Sequence, residues 1–513
     1  MVKVLLVYFH NKDDLQHIPI GLLDIATCLE KNNIPVKIIN YIKNFEEDLT
    51  IEEYKILDED LKDVVCVGFS VLTTQIQRSL VLSKYLKKIN SKLSIVWGGV
   101  HPTLFPKAVC SNENVDFVVV NEGEMPFVEL VQMLITKKND FSKIKSLVYK
   151  KNGVVIQNLP APLLDFVNSP IPNYDLVDDF IKKYSYYYFQ GKKYKFVEVH
   201  SGRGCPYRCT FCLNDILFGK TRRSRSVESI IEEIKLLKER YNGTFIKLRD
   251  ENFFMIKKYV ENFCDALEKE NLHIKWWTSA RASFFDNATP ELMLKLKKSG
   301  CFHLLIGAES GSDKILKQIK KDITPKQLIK SAKVCVKYGI VPNYSFMTGF
   351  SNEDVIDIKA TLKLMRRLKR ISPYVNITGP HLLRPYPGGV LYDELKENYS
   401  DFFKNKTLEQ WATSEKFSEV YLKPADLPWI KDPKLIEVIV NYAPRMFNSL
   451  VRVPFYVKFM GDLKSFAYFI GVYWFLSSKK KIVRRSALMY LHFIDIIKNN
   501  LRSYFKGYVN VLK

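Results

Sequence analysis

Cysteine is sparse in this 513-residue chain, with nine in all, and six of them (Cys28, Cys66, Cys110, Cys264, Cys301, Cys335) stand alone in apolar sequence. A free thiol in such surroundings behaves as a small hydrophobe, so no disulfide framework is expected. Signal-peptide features are missing as well. The stretch from Met1 to His10 passes from one Lys into a short apolar run and then into polar residues, without a small-residue cleavage site. It reads as a first strand, which places the protein in the cytoplasm. There is no internal repeat and no long low-complexity tract, so repeat architectures are excluded. The apolar run Phe466 to Leu476 has eleven residues, well short of the ~20 needed to cross a bilayer. Acids are in deficit: 78 Lys and Arg face 55 Asp and Glu, a formal charge of +23. From Asn441 to Lys513 thirteen cations face two acids, Asp462 and Asp495, so nearly half the excess lies in the tail. Such a bias implies an anionic partner or surface, usually nucleic acid or anionic lipid.

What the chain does have is apolar content, at 47% hydrophobic, and at this length two to four packed units are expected. Residues 1–150 interleave continuous apolar runs such as VKVLLVYF, VVCVGFSVL and SIVWGGV with helical patterns. That predicts an α/β domain, a doubly wound parallel sheet covered on both faces. A hairpin at Asn152-Gly153 and a Pro-rich, aromatic stretch make residues 151–193 the linker. Residues 194–395 restart the alternation. Strands are expected at KFVEVH, TFIKLRD, IKWWTS, CFHLLIGAES, VPNYSFMTGF and YVNITGP, an open, partial (β/α)6 barrel with its chemistry at the strands' carboxyl ends. Residues 396–513 are mainly helical in pattern, aromatic and basic.

The most informative segment is GRGCPYRCTFCLN, where Cys205, Cys209 and Cys212 follow a C-x3-C-x2-C spacing directly after the first barrel strand. Three thiolates on one loop can hold a 4Fe-4S cluster and leave one iron without a protein ligand. That iron can chelate S-adenosylmethionine (SAM), and an electron passed to the sulfonium releases a 5'-deoxyadenosyl radical. A structural zinc loop would need a fourth donor, usually as a second C-x2-C pair, and none exists; His200 is the alternative donor. A ferredoxin run would need a further cysteine after Cys212, which is also missing.

This motif resembles that of the radical SAM superfamily, and flanking segments are similar to the subgroup with an N-terminal cobalamin-binding-like domain. The resemblance covers about residues 1 to 395. It implies that Phe211 lies against the adenine and that Asp250, Glu251 and Asn252 of LRDENFF face the cluster side. It further implies that Glu309 and Ser310 of GAESGSDKILKQIKK sit beside SAM, and that Arg281 of RASFF pairs with the SAM carboxylate. Plainer readings stand beside these: Glu309 caps the helix near Ser312, and Arg281 pairs with Asp286 on the surface. TGFSNE (Thr348 to Glu353) departs from the family's usual G-x-P-G-E, so its residues are left unassigned. RPYPGG (Arg384 to Gly389) is similar to the segment that ends the core.

In the first domain, GLLDIATCLE, VGFSVLTTQ, GGVHPT and NEGE resemble cobalamin-binding domains of the same subgroup. The glycines Gly98 and Gly99 at a strand's carboxyl end let a wide planar ligand approach the backbone, and the resemblance makes that ligand cobalamin. No G-x-G-x-x-G fingerprint follows the first strand, which argues against a dinucleotide. The D-x-H-x-x-G motif for a lower cobalt ligand is absent, since neither His10 nor His17 fits it.

The expected function is cobalamin-dependent radical SAM methylation of an unactivated carbon in a small, lipid-like or secondary metabolite. The alternative uses the same radical for cyclisation, rearrangement or oxidation without methyl transfer. A third reading, from another class, is a zinc-stabilised protein holding RNA or membrane. An external electron donor of flavodoxin or ferredoxin type is implied. The apolar run near Trp474, with Lys464 before it and Lys479 to Lys481, Arg484 and Arg485 after it, fits a peripheral helix at the inner membrane face. It equally fits a buried helix of a small bundle. No nucleic-acid motif is present, which makes RNA a minor reading.

Overall fold

Strands that are apolar at nearly every position must be covered on both faces, and the first sheet follows that rule. The computed structural model describes residues 3–12, 15–43, 47–189, 192–404, 407–413, 423–447, 467–468, 470–477 and 482–495. The chain divides into two units. One comprises Met1–Thr278, Lys298–Gly300 and Pro385–Leu422; the other comprises Ser279–Lys297, Cys301–Arg384 and Lys423–Lys513.

The first unit opens with β1 (Lys3–His10), α1 (Ile20–Lys31), β2 (Val36–Ile42), α2 (Ile51–Asp60), β3 (Val64–Ser70), α3 (Ile76–Ile89) and β4 (Ser94–Gly98). Two short helices, α4 (Val100–Leu104) and α5 (Pro106–Cys110), lead to β5 (Phe117–Val119) and α6 (Glu124–Ile135). The parallel order is β2-β1-β3-β4-β5. The winding reverses between β1 and β3, and in such sheets the crevice beyond the carboxyl ends at that point is where ligands bind. The hairpin β6 (Leu147–Lys151) and β7 (Val154–Gln157), turned at Asn152-Gly153, adds two antiparallel strands and carries this sheet to Gln157.

A second sheet of the same unit follows α7 (Asp178–Tyr184). Strand β8 (Tyr186–Phe189) pairs antiparallel with β9 (Lys192–Val199), and β9 is joined in parallel by β12 (Phe245–Leu248) and β13 (Lys275–Ala280). Between them come β10 (Gly202–Arg203), α8 (Asn214–Phe218), β11 (Arg223–Ser224), α9 (Val227–Tyr241) and, before β13, α10 (Lys257–Lys269). Ser226 caps α9 by accepting from Ser229 N, and Asn242 ends it in the left-handed conformation.

Helix α11 (Pro290–Lys298) leads into the strands of the second unit, where β14 (Cys301–Glu309), β15 (Val341–Thr348) and β16 (Asn376–Leu382) are parallel neighbours. They alternate with α12 (Asp313–Gln318), α13 (Pro325–Lys337) and α14 (Val355–Ile371), and capping boxes begin α13 at Thr324 and α14 at Asp354. All six strands expected between residues 194 and 395 are therefore present.

The chain then returns to the first unit with α15 (Val390–Asn398) and α16 (Leu408–Thr413), and Leu408 and Ala412 join the core cluster that holds Leu80, Leu86 and Trp97. Helix α17 (Pro433–Phe447) belongs to the second unit. There the apolar stretch buries Tyr468, Val472, Phe475 and Leu476, the i, i+4, i+7, i+8 face of a helix. Arg484 pairs with Asp432 and Arg445 with Asp495, so these two cations are engaged within the unit. Lys464 and Lys479 to Lys481 lie outside the described residues. Among the described residues no helix is long and apolar enough to cross a membrane.

Candidate active site

The cysteine loop leaves the second sheet at the carboxyl end of β9. Gly204, at φ +89°, makes the turn into it; a Cβ there would fall 2.2 Å from the Thr221 carbonyl oxygen, so only glycine fits. The Gly204 N–H donates to Glu251 Oε2 at 3.1 Å. Further along, Cys212 N donates to Cys209 O at 3.1 Å, and Leu391 N, just beyond RPYPGG, donates to Thr210 O at 3.0 Å. The loop is thus pinned at its start, within, and by the segment that follows the core.

Cys205 and Cys209 are half-buried and Cys212 is exposed, whereas Cys66, Cys110, Cys264, Cys301 and Cys335 are buried. Burial pushes the Cys66 thiol up to about 12 and the Cys110 thiol to about 11, which leaves them inert. Only the cluster cysteines combine proximity in sequence with access. Among the described residues no three His, Cys, Asp or Glu side chains converge where a single metal ion would sit. His200, the candidate fourth zinc donor, turns its Nδ1 to Asp24 at 3.3 Å.

The base of the loop is fixed by buried ion pairs. Arg203 donates from Nη1 to Glu124 Oε1 at 2.6 Å and to Glu122 Oε1 at 3.1 Å, and from Nη2 to Asp24 Oδ2 at 2.7 Å. Its guanidinium also lies 4.7 Å from the Phe166 ring centroid. Arg223, on the paired strand β11, reaches Glu122 Oε2 at 2.8 Å. Burial alone would raise the carboxyls of Asp24 and Glu122, but the His200 hydrogen bond and Arg203 charge hold Asp24 below its usual range, as Arg223 and Arg203 do Glu122. The three acids come from GLLDIATCLE and NEGE, so both segments of the first domain bind the arginine that starts the cysteine loop.

Asp250 accepts from Ser201 N at 3.1 Å, Ser201 Oγ at 2.5 Å and Arg222 Nη2 at 2.6 Å, with both charged side chains almost wholly buried. It therefore ties the end of β9 to the loop after β12. Asn252 donates to Met255 Sδ, and its Oδ1 is buried without a hydrogen-bond partner. Phe211 is half-buried in the turn between Cys209 and Cys212.

In the second unit, Glu309 ends β14 in the left-handed region at φ +59° and accepts from Lys321 Nζ at 2.7 Å. Ser312, not Glu309, caps α12. Ser310 is fully buried, with its hydroxyl 3.1 Å from Thr361 Oγ1. Arg281 donates to the Lys321 carbonyl, so Arg281, Lys321 and Glu309 form one chain of contacts. Asp286, the surface alternative for Arg281, accepts from Gln327 Nε2 at 2.5 Å. The TGFSNE loop closes on Glu353, which accepts from Thr348 Oγ1 at 2.8 Å and Gly349 N at 2.6 Å. Burial raises its carboxyl to about 7.

A cavity of about 270 Å³ lies at the switch point of the first sheet, lined by Tyr8, Ser70, Gly98, Gly99, His200 and Arg203 among others. Gly99 adopts φ +94°, and a Cβ there would stand 2.9 Å from Val71 N. At Gly98 a Cβ would meet only ordinary contacts, and at Gly21 nothing within 4 Å, so the missing side chains leave open a cradle for a broad ligand. His10 and His17 do not line it: His10 bonds Asn40 and His17 bonds Glu198.

Comparison with known proteins adds to this geometry. Residues 199–365 match the profile of the radical SAM superfamily, and residues 11–131 that of the B12-binding domain. An uncharacterized methyltransferase of Pyrococcus horikoshii is 33% identical over 475 residues, 88% of this chain and 99% of that protein. An anaerobic magnesium-protoporphyrin IX monomethyl ester cyclase of Synechocystis is 27% identical over 66% of each chain. Among solved structures, the radical SAM methyltransferase TsrM of Kitasatospora setae aligns with a TM-score of 0.63 at 17% identity, covering 78% of this chain and 76% of that one. Apo OxsB, a cobalamin-dependent SAM radical enzyme, aligns with a TM-score of 0.66 at 18% identity, covering 96% and 75%.

Proposed function

Because the chain belongs to the radical SAM superfamily, in the subgroup with an N-terminal B12-binding domain, we propose that it methylates a carbon of a small molecule with SAM and cobalamin. It is a radical SAM enzyme, an α/β protein with a doubly wound cobalamin-binding sheet and a partial radical SAM barrel. Its cofactors are a 4Fe-4S cluster, SAM and cobalamin. Together these supply a 5'-deoxyadenosyl radical and a transferable methyl group.

In this reading Cys205, Cys209 and Cys212 hold the cluster, and Gly98 and Gly99 floor the cobalamin crevice. The exposure of Cys212 leaves that edge of the loop open to an external one-electron donor. Arg203 does not react. Its role is to hold the cysteine loop to the two segments, GLLDIATCLE and NEGE, that border the cavity, which fixes loop and crevice relative to each other. Phe211, Glu309, Ser310 and Arg281 are assigned to SAM. For Glu309 and Arg281 the supporting feature is their common contact with Lys321 at the carboxyl end of β14.

The observation that carries the proposal is the Arg203 clamp, which joins an open-ended thiol loop to a glycine-floored crevice within one unit. Methyl-labelled SAM tests it under anaerobic conditions: label in the product supports methylation. The cyclase of Synechocystis among the relatives favours one alternative, radical chemistry without methyl transfer. Its signature is 5'-deoxyadenosine formed with no label in the product.

A further inference from the structure

His200 follows the last residue of β9 and lines the cavity at the switch point of the first sheet. Among the described residues it is the only imidazole on that wall, and no Cys or Met joins it there. The ring's hydrogen bond is made by Nδ1, 3.3 Å from Asp24 Oδ2. Asp24 also accepts from Arg203 Nη2 at 2.7 Å, which fixes the carboxylate and keeps it ionised. An ionised carboxylate only accepts, so the shared hydrogen belongs to the ring. In this contact the hydrogen sits on Nδ1, and Nε2 is the ring nitrogen that Asp24 does not engage.

Histidines that bind metals are usually built this way, with the distal ring N–H given to a carboxylate that fixes the tautomer and raises the basicity of the ligating nitrogen. The residues are assembled from α1 and the end of β9, 176 positions apart, so no local motif announces them. The loop after β1, where a D-x-H-x-x-G histidine would stand, instead sends His17 Nδ1 to Glu198 Oε1 at 2.7 Å. That histidine is spent on a carboxylate away from the cavity.

We infer that His200 is a nitrogen ligand to the cobalt of cobalamin, with Asp24 as its orienting partner. The inference rests on the proposed placement of cobalamin in this cavity. His200 binds the metal through Nε2, and Asp24, held by Arg203, sets the ring's direction and tautomer.

Electron paramagnetic resonance of the cob(II)alamin state tests this on the full chain. The protein is grown in nitrogen-15 medium and loaded anaerobically with unlabelled cobalamin, and retention is read by absorbance. Ligation by His200 gives a doublet superhyperfine splitting in labelled protein and a triplet in unlabelled protein. Both are lost in His200→Ala with cobalamin still bound. A triplet that persists in labelled protein comes from the cofactor's own benzimidazole and overturns the inference, as does a spectrum without nitrogen splitting. A full chain that retains no cobalamin removes the site reading itself, so the two failures are distinct. Asp24→Asn provides the second variant: the splitting weakens or broadens if Asp24 orients the ring, and an unchanged spectrum removes Asp24 from the account.

Discussion

Arg203 and Glu124 meet at 2.6 Å inside the protein, both side chains 5% exposed, although they lie 79 residues apart in the chain. The pair links the start of the cysteine loop to the first turn of α6, and Asp24 and Glu122 complete the shell around the same guanidinium.

Arg203→Met removes the cation and leaves Asp24 and Glu124 without their shared partner in a buried site. Breaking a buried pair in this way costs on the order of 3–5 kcal/mol. A clear drop in melting temperature is expected, with partial recovery in Arg203→Lys, whose single head cannot reach three carboxylates. A variant that melts like the parent would show that the clamp contributes nothing.

Asp250→Asn keeps the shape of the side chain but leaves Arg222 buried without its counter-charge. The expected loss is again on the order of 3–5 kcal/mol, read by denaturation, while the folded fraction still binds SAM in equilibrium dialysis. Lost SAM affinity at unchanged stability would instead place Asp250 among the ligand contacts.

Glu353 supplies the pH dependence. Burial raises its folded carboxyl from 4.5 to about 7. A raised folded value means that its contribution is complete below the unfolded value and is lost as pH rises through the folded one. The parent should therefore lose melting temperature relative to Glu353→Gln between pH 5 and pH 8, by the equivalent of on the order of 3 kcal/mol. Parallel curves across that range would refute the assignment.

Replacing Cys205, Cys209 or Cys212 singly by Ala should abolish SAM cleavage and leave the melting temperature almost unchanged, because these side chains are half-buried or exposed. Cys66→Ala removes a buried sulfur, and the reverse pattern is expected: modest destabilisation with cleavage intact. Cleavage that survives loss of any loop cysteine would remove that residue from the ligand set.

Much of this arrangement could be read before the structure. Continuous apolar runs predict the first parallel sheet, since a strand buried on both faces has no polar side to alternate with; the second is read from the restarted alternation of strand and helix patterns, and C-x3-C-x2-C is local enough to be read directly. The clamp was not legible, because Arg203 finds its acids 79 to 179 residues away. The one available hint is Asp24, a carboxylate inside the apolar helix IGLLDIATCLEK, which needs a partner if that face is buried. Arg281 illustrates a second limit: its partner is a backbone carbonyl, which residue types do not reveal. The basic tail is a third, since charge composition does not show that Arg484 is already held by Asp432.

The proposed chemistry depends on three thiols of one loop carrying an iron-sulfur cube. Iron, sulfide and zinc analysis of the full chain, purified without oxygen and reconstituted, tests it most directly. About four irons and four sulfides per chain are expected. One zinc with no sulfide would contradict that.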